Sequence, residues 1–146
     1  MKFFYLIFFW FSSNAYSQNY AIFTNQIESA GKIIYKTYKE GGAAGLTGLS
    51  SECYKKQSNK HICVYIDTGS RFLERAMVDA LNSSFKSGKA PYLEYFDDEL
   101  YFNRIGKILT RDLEEQEEVM AYLNLIRIKV TNSILTAMQE DKNSKN

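Results

Sequence analysis

Two cysteines, Cys53 and Cys63, constrain the fold of this chain more than any other feature of its sequence. Between them lies Ser58-Asn59, a pair typical of turns, and each cysteine is five residues from Ser58. A helical hairpin that turns at this pair would bring the two sulfur atoms face to face. Closing the 11-residue loop removes conformational entropy of the unfolded chain worth about 3 kcal/mol. We therefore predict a disulfide that joins two helices across a turn.

The N-terminus predicts the oxidising compartment in which such a disulfide forms. After Lys2, residues 3–11 are all apolar or aromatic, and small residues stand at Ala15 and Ser17. A positive start, a short apolar core and small residues before a cut are the parts of a secretory signal peptide. The apolar run is too short for the ~20 residues of a membrane-spanning helix. We expect residues 1–17 to be cleaved and the mature protein to be exported, to the periplasm in a bacterium, with no stable membrane anchor.

The predicted mature chain has balanced charge. The full chain has 18 basic and 17 acidic residues, and the signal segment contains Lys2 and no acid, so its removal brings the formal charge from +1 to zero. Proteins that bind nucleic acids usually have a basic excess, so we expect no nucleic-acid partner. The remaining length suits a single core. We place one helical domain at residues 18–140 and a disordered tail at residues 141–146.

Apolar residues recur at helical spacing in the first half of the mature chain. They predict a helix over residues 20–40 that ends at Gly41-Gly42, a pair suited to the left-handed conformation. A glycine-rich stretch over residues 41–49 should follow, as a loop or as a small-residue contact where two helices approach closely, and then a short helix ending near Gln57. Beyond the turn, an apolar stripe favours one helix over residues 61–86. Residues 62–66 also suit a short strand, and the sequence leaves that alternative open.

The second half of the chain predicts two further helices. Asp97 or Asp98 can cap a helix that runs to about residue 110, and Asp112 begins a capping-box pattern for a helix over residues 113–139. The middle of this last helix is apolar around much of its circumference, which predicts a central position. Together the patterns predict an all-α, single-domain bundle of four to five helices with one disulfide.

One short motif resembles a catalytic loop. Val64-Tyr65-Ile66 precede Asp67-Thr68-Gly69-Ser70, and in aspartic proteases apolar residues likewise precede Asp-Thr-Gly-Ser. The resemblance implies a fold of β-strands, with Asp67 as the catalytic acid and Thr68 and Gly69 fixing the turn around it. Since the chain has one such triplet, it also implies a homodimer in which two aspartates share a proton. In a helical chain, the same residues predict a helix cap or a glycine at a tight helix contact.

The sequence predicts no metal centre and no cofactor. His61, Cys53 and Cys63 are three potential zinc ligands, but a disulfide would remove both thiolates and no fourth ligand is evident.

Aromatic and acidic side chains alternate between residues 92 and 102. This composition is typical of side chains that anchor protein interfaces, although the same residues also suit a core and a helix cap. The candidates for a partner surface are Tyr92, Tyr95, Phe96, Asp97, Asp98, Glu99, Tyr101 and Phe102.

With no catalytic cluster besides the Asp67 motif, the sequence favours protein binding over catalysis. We expect an inhibitor or immunity-type protein whose partner lies in the cell envelope. The alternatives are a homodimeric aspartic-type protease that uses Asp67-Thr68-Gly69 and a structural subunit of an envelope assembly. The sequence is compatible with a homo-oligomer.

Overall fold

The protein is a bundle of helices, and the all-α prediction is confirmed. A computed structural model describes residues 15–84, 89–109 and 116–145, with side chains from Thr24 onward except those of residues 116 and 118. The elements are α1 (Ala15–Lys56), α2 (Lys60–Ser84), a 3₁₀ turn (Glu94–Phe96), α3 (Asp98–Leu109) and α4 (Gln116–Asn143). No strand occurs within these ranges.

Two predictions concern residues beyond these ranges. Most of the predicted signal peptide, residues 1–14, lies outside the described residues, so its cleavage stays a prediction. The capping-box pattern at Asp112 also lies outside them. Among the helices that are described, none is both long and apolar enough to cross a membrane.

Helix α1 bends sharply at Gly42. This residue has φ 59° and ψ −152°, which fits the prediction that the first regular helix ends at Gly41-Gly42. Of the two interpretations of the glycine-rich stretch, the loop is wrong, because the helix resumes immediately and continues to Lys56. Beyond the bend, Leu46, Ser50 and Cys53 follow each other at four- and three-residue steps, and all three are buried. The bend therefore directs a second helical face toward the core.

Helix α2 is the central element of the bundle. It is continuous from Lys60 to Ser84, so the helix prediction is confirmed and the strand alternative for residues 62–66 is wrong. All eight residues from 63 to 70 are buried, which requires neighbours around the whole circumference. Helices α1 and α4 both pack against α2. The sequence predicted the central position for α4 instead. Side chains on the outer face of α4, such as Ile128 and Leu135, are however about half exposed.

The disulfide between Cys53 and Cys63 is confirmed, with an S–S distance of 2.06 Å and a Cα–Cα distance of 5.5 Å. It joins the last turn of α1 to the first turn of α2, across the three residues that separate the two helices. Both cysteines are buried. The hairpin is therefore covalently closed at its turn.

Helix α4 continues past the predicted boundary at residue 140. Its last turn is held against α1, because Asp141 accepts hydrogen bonds from the Tyr35 hydroxyl (3.1 Å) and the Lys39 ammonium group (2.5 Å). Lys145, four residues later, donates to the same carboxylate at 2.8 Å. The polar composition of this segment predicted a disordered tail. In the structure, Asp141 instead contacts α1 and Lys145.

We expect Gly31→Ala to destabilise the bundle, because α1 and α4 touch at this glycine. A Cβ atom there would lie 2.2 Å from Oγ, 2.5 Å from Cβ and 2.9 Å from the backbone carbonyl carbon of Ser133. A rotation of the Ser133 side chain would not relieve the clash with the Ser133 backbone, so the two helices must separate. We expect this to lower the free energy of unfolding by about 2 kcal/mol. Urea denaturation followed by circular dichroism measures this cost.

Gly48→Ala is the matched control for that variant. Nothing lies within 4 Å of a Cβ atom at Gly48, so alanine should raise stability by about 0.5–1 kcal/mol through its higher helix propensity. Equal stability of the two variants would show that α1 and α4 do not approach as closely as described.

Candidate functional site

Asp67 lies at the centre of a buried polar cluster. Its side chain is 0% exposed, and both of its oxygens accept hydrogen bonds from Arg104 of α3, through Nε and Nη2 at 3.0 Å each. The Tyr54 hydroxyl of α1 donates a third bond at 3.0 Å. This two-point geometry is the strongest form of arginine–carboxylate pairing. The cluster ties α1 and α3 to the central helix.

Aromatic residues complete this cluster. The guanidinium of Arg104 lies over the ring of Tyr95, 3.9 Å from its centre, and the Tyr95 hydroxyl donates to the Ser50 hydroxyl at 3.2 Å. Burial, together with the negative charge of Asp67, raises the pKa of Tyr54 far above its ordinary value. The Tyr54 hydroxyl is therefore protonated at physiological pH and donates a hydrogen bond to Asp67.

The surroundings of Asp67 differ from those that the protease resemblance implies. Asp67, Thr68 and Gly69 lie in the middle of a helix, and the described fold is helical rather than built from strands. Asp67 faces a guanidinium, and within the described residues no second carboxylate bonds to it to share its proton. The Thr68 hydroxyl is 2.8 Å from that of Tyr101. The alternative for Gly69, a tight helix contact, is confirmed.

Gly69 is where three helices meet. A Cβ atom at this position would lie 2.6 Å from Cδ1 of Ile34, 2.9 Å from Cγ2 of Val130 and 3.3 Å from Cδ1 of Ile134. The Asp-Thr-Gly sequence therefore has a packing explanation. Asp67 binds α3, Thr68 contacts the same helix, and Gly69 lets α1 and α4 approach α2.

The predicted partner surface divides between core and solvent. Phe96 is fully buried and Tyr101 is 3% exposed, so these two belong to the core. Tyr92 and Phe102 are exposed by 45% and 44%. The division arises because the 3₁₀ turn points Phe96 inward, and α3 buries the face that carries Tyr101, Ile105 and Leu109.

The acidic residues of the same segment have two different roles. Asp97 caps α3, since its Oδ1 accepts a hydrogen bond from the backbone N–H of Glu99 at 2.9 Å. Asp98 instead accepts from Arg71 and from Nη2 of Arg75, the latter at 2.6 Å. The hydrogen bond from Arg71 holds the pKa of Asp98 below its ordinary value. Glu99 is exposed.

A groove between α2, α3 and α4 adjoins this segment, and sequence reasoning missed it. Its volume is about 470 Å³. We call it the arginine groove, after the three arginines in its lining. Its principal lining residues are Arg71, Phe72, Arg75, Phe102, Met120 and Arg127. The four-residue spacing of Arg71 and Arg75 places them on one face of α2, a signal that the sequence did contain.

Two arginines of the groove, Arg71 and Arg75, lie over aromatic rings of the segment. The guanidinium of Arg71 lies 4.5 Å from the ring centre of Tyr101 and 5.9 Å from that of Phe102, while that of Arg75 lies 5.0 Å from the ring centre of Tyr92. Arg71 Nε also donates to the backbone oxygen of Phe96 at 3.1 Å. These contacts hold Arg71 and Arg75 against the segment.

In the part of the chain that the structure describes, no three histidine, cysteine or acidic side chains are grouped as a metal site would require. Both cysteines lie in the disulfide, as expected.

Comparison with known proteins adds no relative. No protein-family model, no curated protein and no solved structure matches the chain.

Proposed function

We propose that this protein is exported and acts by binding another protein in the cell envelope, as an inhibitor or immunity-type protein. The observation that carries the proposal is the exposure of large apolar side chains around the arginine groove. Phe102 and Met120, from different helices, both line the groove and are 44% and 45% exposed. Aromatic residues, methionine and arginine are the side chains enriched in protein interfaces.

The rigidity of the scaffold supports the proposal. The disulfide closes the hairpin, and the Asp67–Arg104 pair fastens α3 to α2. Phe102 and Arg104 belong to the same short helix, so the apolar side chain is presented by a fixed backbone. A surface that is ordered before binding loses little conformational entropy on association, which favours tight complexes.

Site-specific photocross-linking tests the proposal. We expect that p-benzoylphenylalanine in place of Phe102, expressed in cells of the source organism and irradiated, forms a covalent adduct of discrete mass with an envelope protein. The matched control carries the same group at Lys36 on α1, whose side chain is 76% exposed and lies outside the groove lining. The same adducts from both positions, or no adduct from position 102, would count against protein binding through this surface.

A further inference from the structure

We propose that the arginine groove recognises an acidic side chain flanked by a bulky apolar one on the partner protein, and that Asp98 occupies part of this site in the free protein. This inference rests on the proposed function, because it names the chemistry of the partner. The features that support it are the charge balance of the groove, the exposed part of Arg75 and the position of Asp98.

Among the described residues that line it, the groove has more cations than anions. Its lining includes three guanidinium groups, from Arg71, Arg75 and Arg127, and the carboxylate of Asp79. With Asp98, which the first two arginines share, the count is three positive charges against two negative ones. Arg127 is exposed and forms no ion pair with a described residue. The groove is thus complementary to an added carboxylate.

Arg75 is open to an incoming carboxylate on one side only. Its Nε is enclosed and bonds to no described atom, whereas 32% of the side chain is exposed, and Nη2 binds Asp98. A carboxylate oxygen is the acceptor that guanidinium groups bind best, so a partner's carboxylate would bind this exposed part of Arg75, where Asp98 now lies. The apolar part of the lining, above all Phe72, Phe102 and Met120, offers contact area for a neighbouring aromatic or aliphatic side chain.

Asp98 has the features of an internal substitute for the partner's carboxylate. Its side chain is 63% exposed although it binds two arginines, so it reaches them from the solvent side. It is not needed as the cap of α3, since Asp97 has that role. An incoming carboxylate can displace Asp98 without unfolding α3.

A protein partner fits these features better than a small molecule does. The groove is open, and the exposed ring of Tyr92 extends the surface beyond it. Its volume of about 470 Å³ accommodates one apolar side chain with a neighbouring acid, and it continues into the exposed face of α3.

Titration with two blocked peptides tests the inference. The probes are acetyl-Leu-Glu-Phe-amide and its neutral counterpart acetyl-Leu-Gln-Phe-amide, and the readout is ¹⁵N NMR of the arginine Nε–H groups and of the backbone. We expect the acidic peptide to bind about tenfold more tightly, with shifts at Arg75, Phe102 and Met120, and to weaken as salt is added. Equal affinity of the two peptides, or no shift at millimolar acidic peptide, would overturn the inference.

Two variants separate recognition from a structural role. Arg127→Ala should weaken the acidic peptide several-fold and leave the neutral one unchanged. Asp98→Asn should strengthen the acidic peptide, because the competing carboxylate is removed; weaker binding would contradict the proposed role of Asp98. If 3-phenylpropionate binds as tightly as the peptide, the groove is a small-molecule site, and if Arg127→Ala abolishes a concentration-dependent dimer, its occupant is a second copy. Either result alone would overturn the assignment to a partner protein.

The cross-linking test is independent of these results. An adduct at position 102 that forms equally at high salt, together with peptides that bind alike, would leave protein binding supported and remove only the acidic recognition.

Discussion

Arg104→Ala is expected to lower the free energy of unfolding by about 3 kcal/mol, because it leaves the carboxylate of Asp67 buried without its cation. Asp67 is 0% exposed, and both of its oxygens bond to Arg104. The Tyr54 hydroxyl remains as a donor, but a neutral hydroxyl does not replace a guanidinium. The removed side chain is itself partly exposed, so water gains some access to Asp67, which keeps the cost at the low end of the ~3–5 kcal/mol known for broken buried pairs.

Substitution of the other member of the pair, Asp67, should lower the free energy of unfolding by less. Asp67→Asn keeps the shape of the side chain and one acceptor oxygen, and Arg104, at 22% exposure, can regain water. We expect a loss of about half that of Arg104→Ala. The order of the two variants therefore reports which partner is the more buried.

Urea denaturation followed by circular dichroism measures both variants, and Arg127→Ala is the matched control. That arginine is exposed and unpaired among the described residues, so its removal should change stability by less than about 0.5 kcal/mol. If Arg104→Ala and Arg127→Ala unfold at the same urea concentration, the pair with Asp67 does not stabilise the fold.

The sequence predicted this helical frame but not the polar pair within it. Helical spacing of apolar residues reveals which face of each segment is buried, and it correctly indicated one helix through residues 62–66. It carries no information on which buried polar groups meet. Asp67 and Arg104 are 37 residues apart and belong to helices whose relative position depends on the whole bundle. A carboxylate beside Thr-Gly therefore resembled a catalytic group until its partner was known.

Part of the division of the predicted partner surface between core and solvent could be predicted from spacing. Tyr101, Ile105 and Leu109 recur every four residues and form the buried face of α3, which places Phe102 on the outside. The inward position of Phe96 was not predictable, since it depends on a single 3₁₀ turn between an irregular segment, residues 89–93, and the start of α3. The arginine groove draws its lining from three helices, so no single stretch of sequence contains it.

Removal of the disulfide is expected to lower the free energy of unfolding by about 3 kcal/mol, through the greater freedom of the unfolded chain. The cysteines are 10 residues apart, and the loop that they close contains the whole turn between α1 and α2. In the double variant Cys53→Ala, Cys63→Ala, we expect the same helical circular dichroism spectrum without denaturant and a lower urea midpoint.

Reduction of the natural protein separates the effect of the crosslink from that of the side chains. Both cysteines are buried, so alanine also removes two sulfur atoms from the core, which adds a packing cost to the double variant. Dithiothreitol should lower the midpoint of the natural protein to slightly above that of the double variant and leave the variant unchanged. If mass spectrometry shows full reduction while the midpoint stays constant, the hairpin is stable without its crosslink, and the packing around α2 alone holds α1 in place.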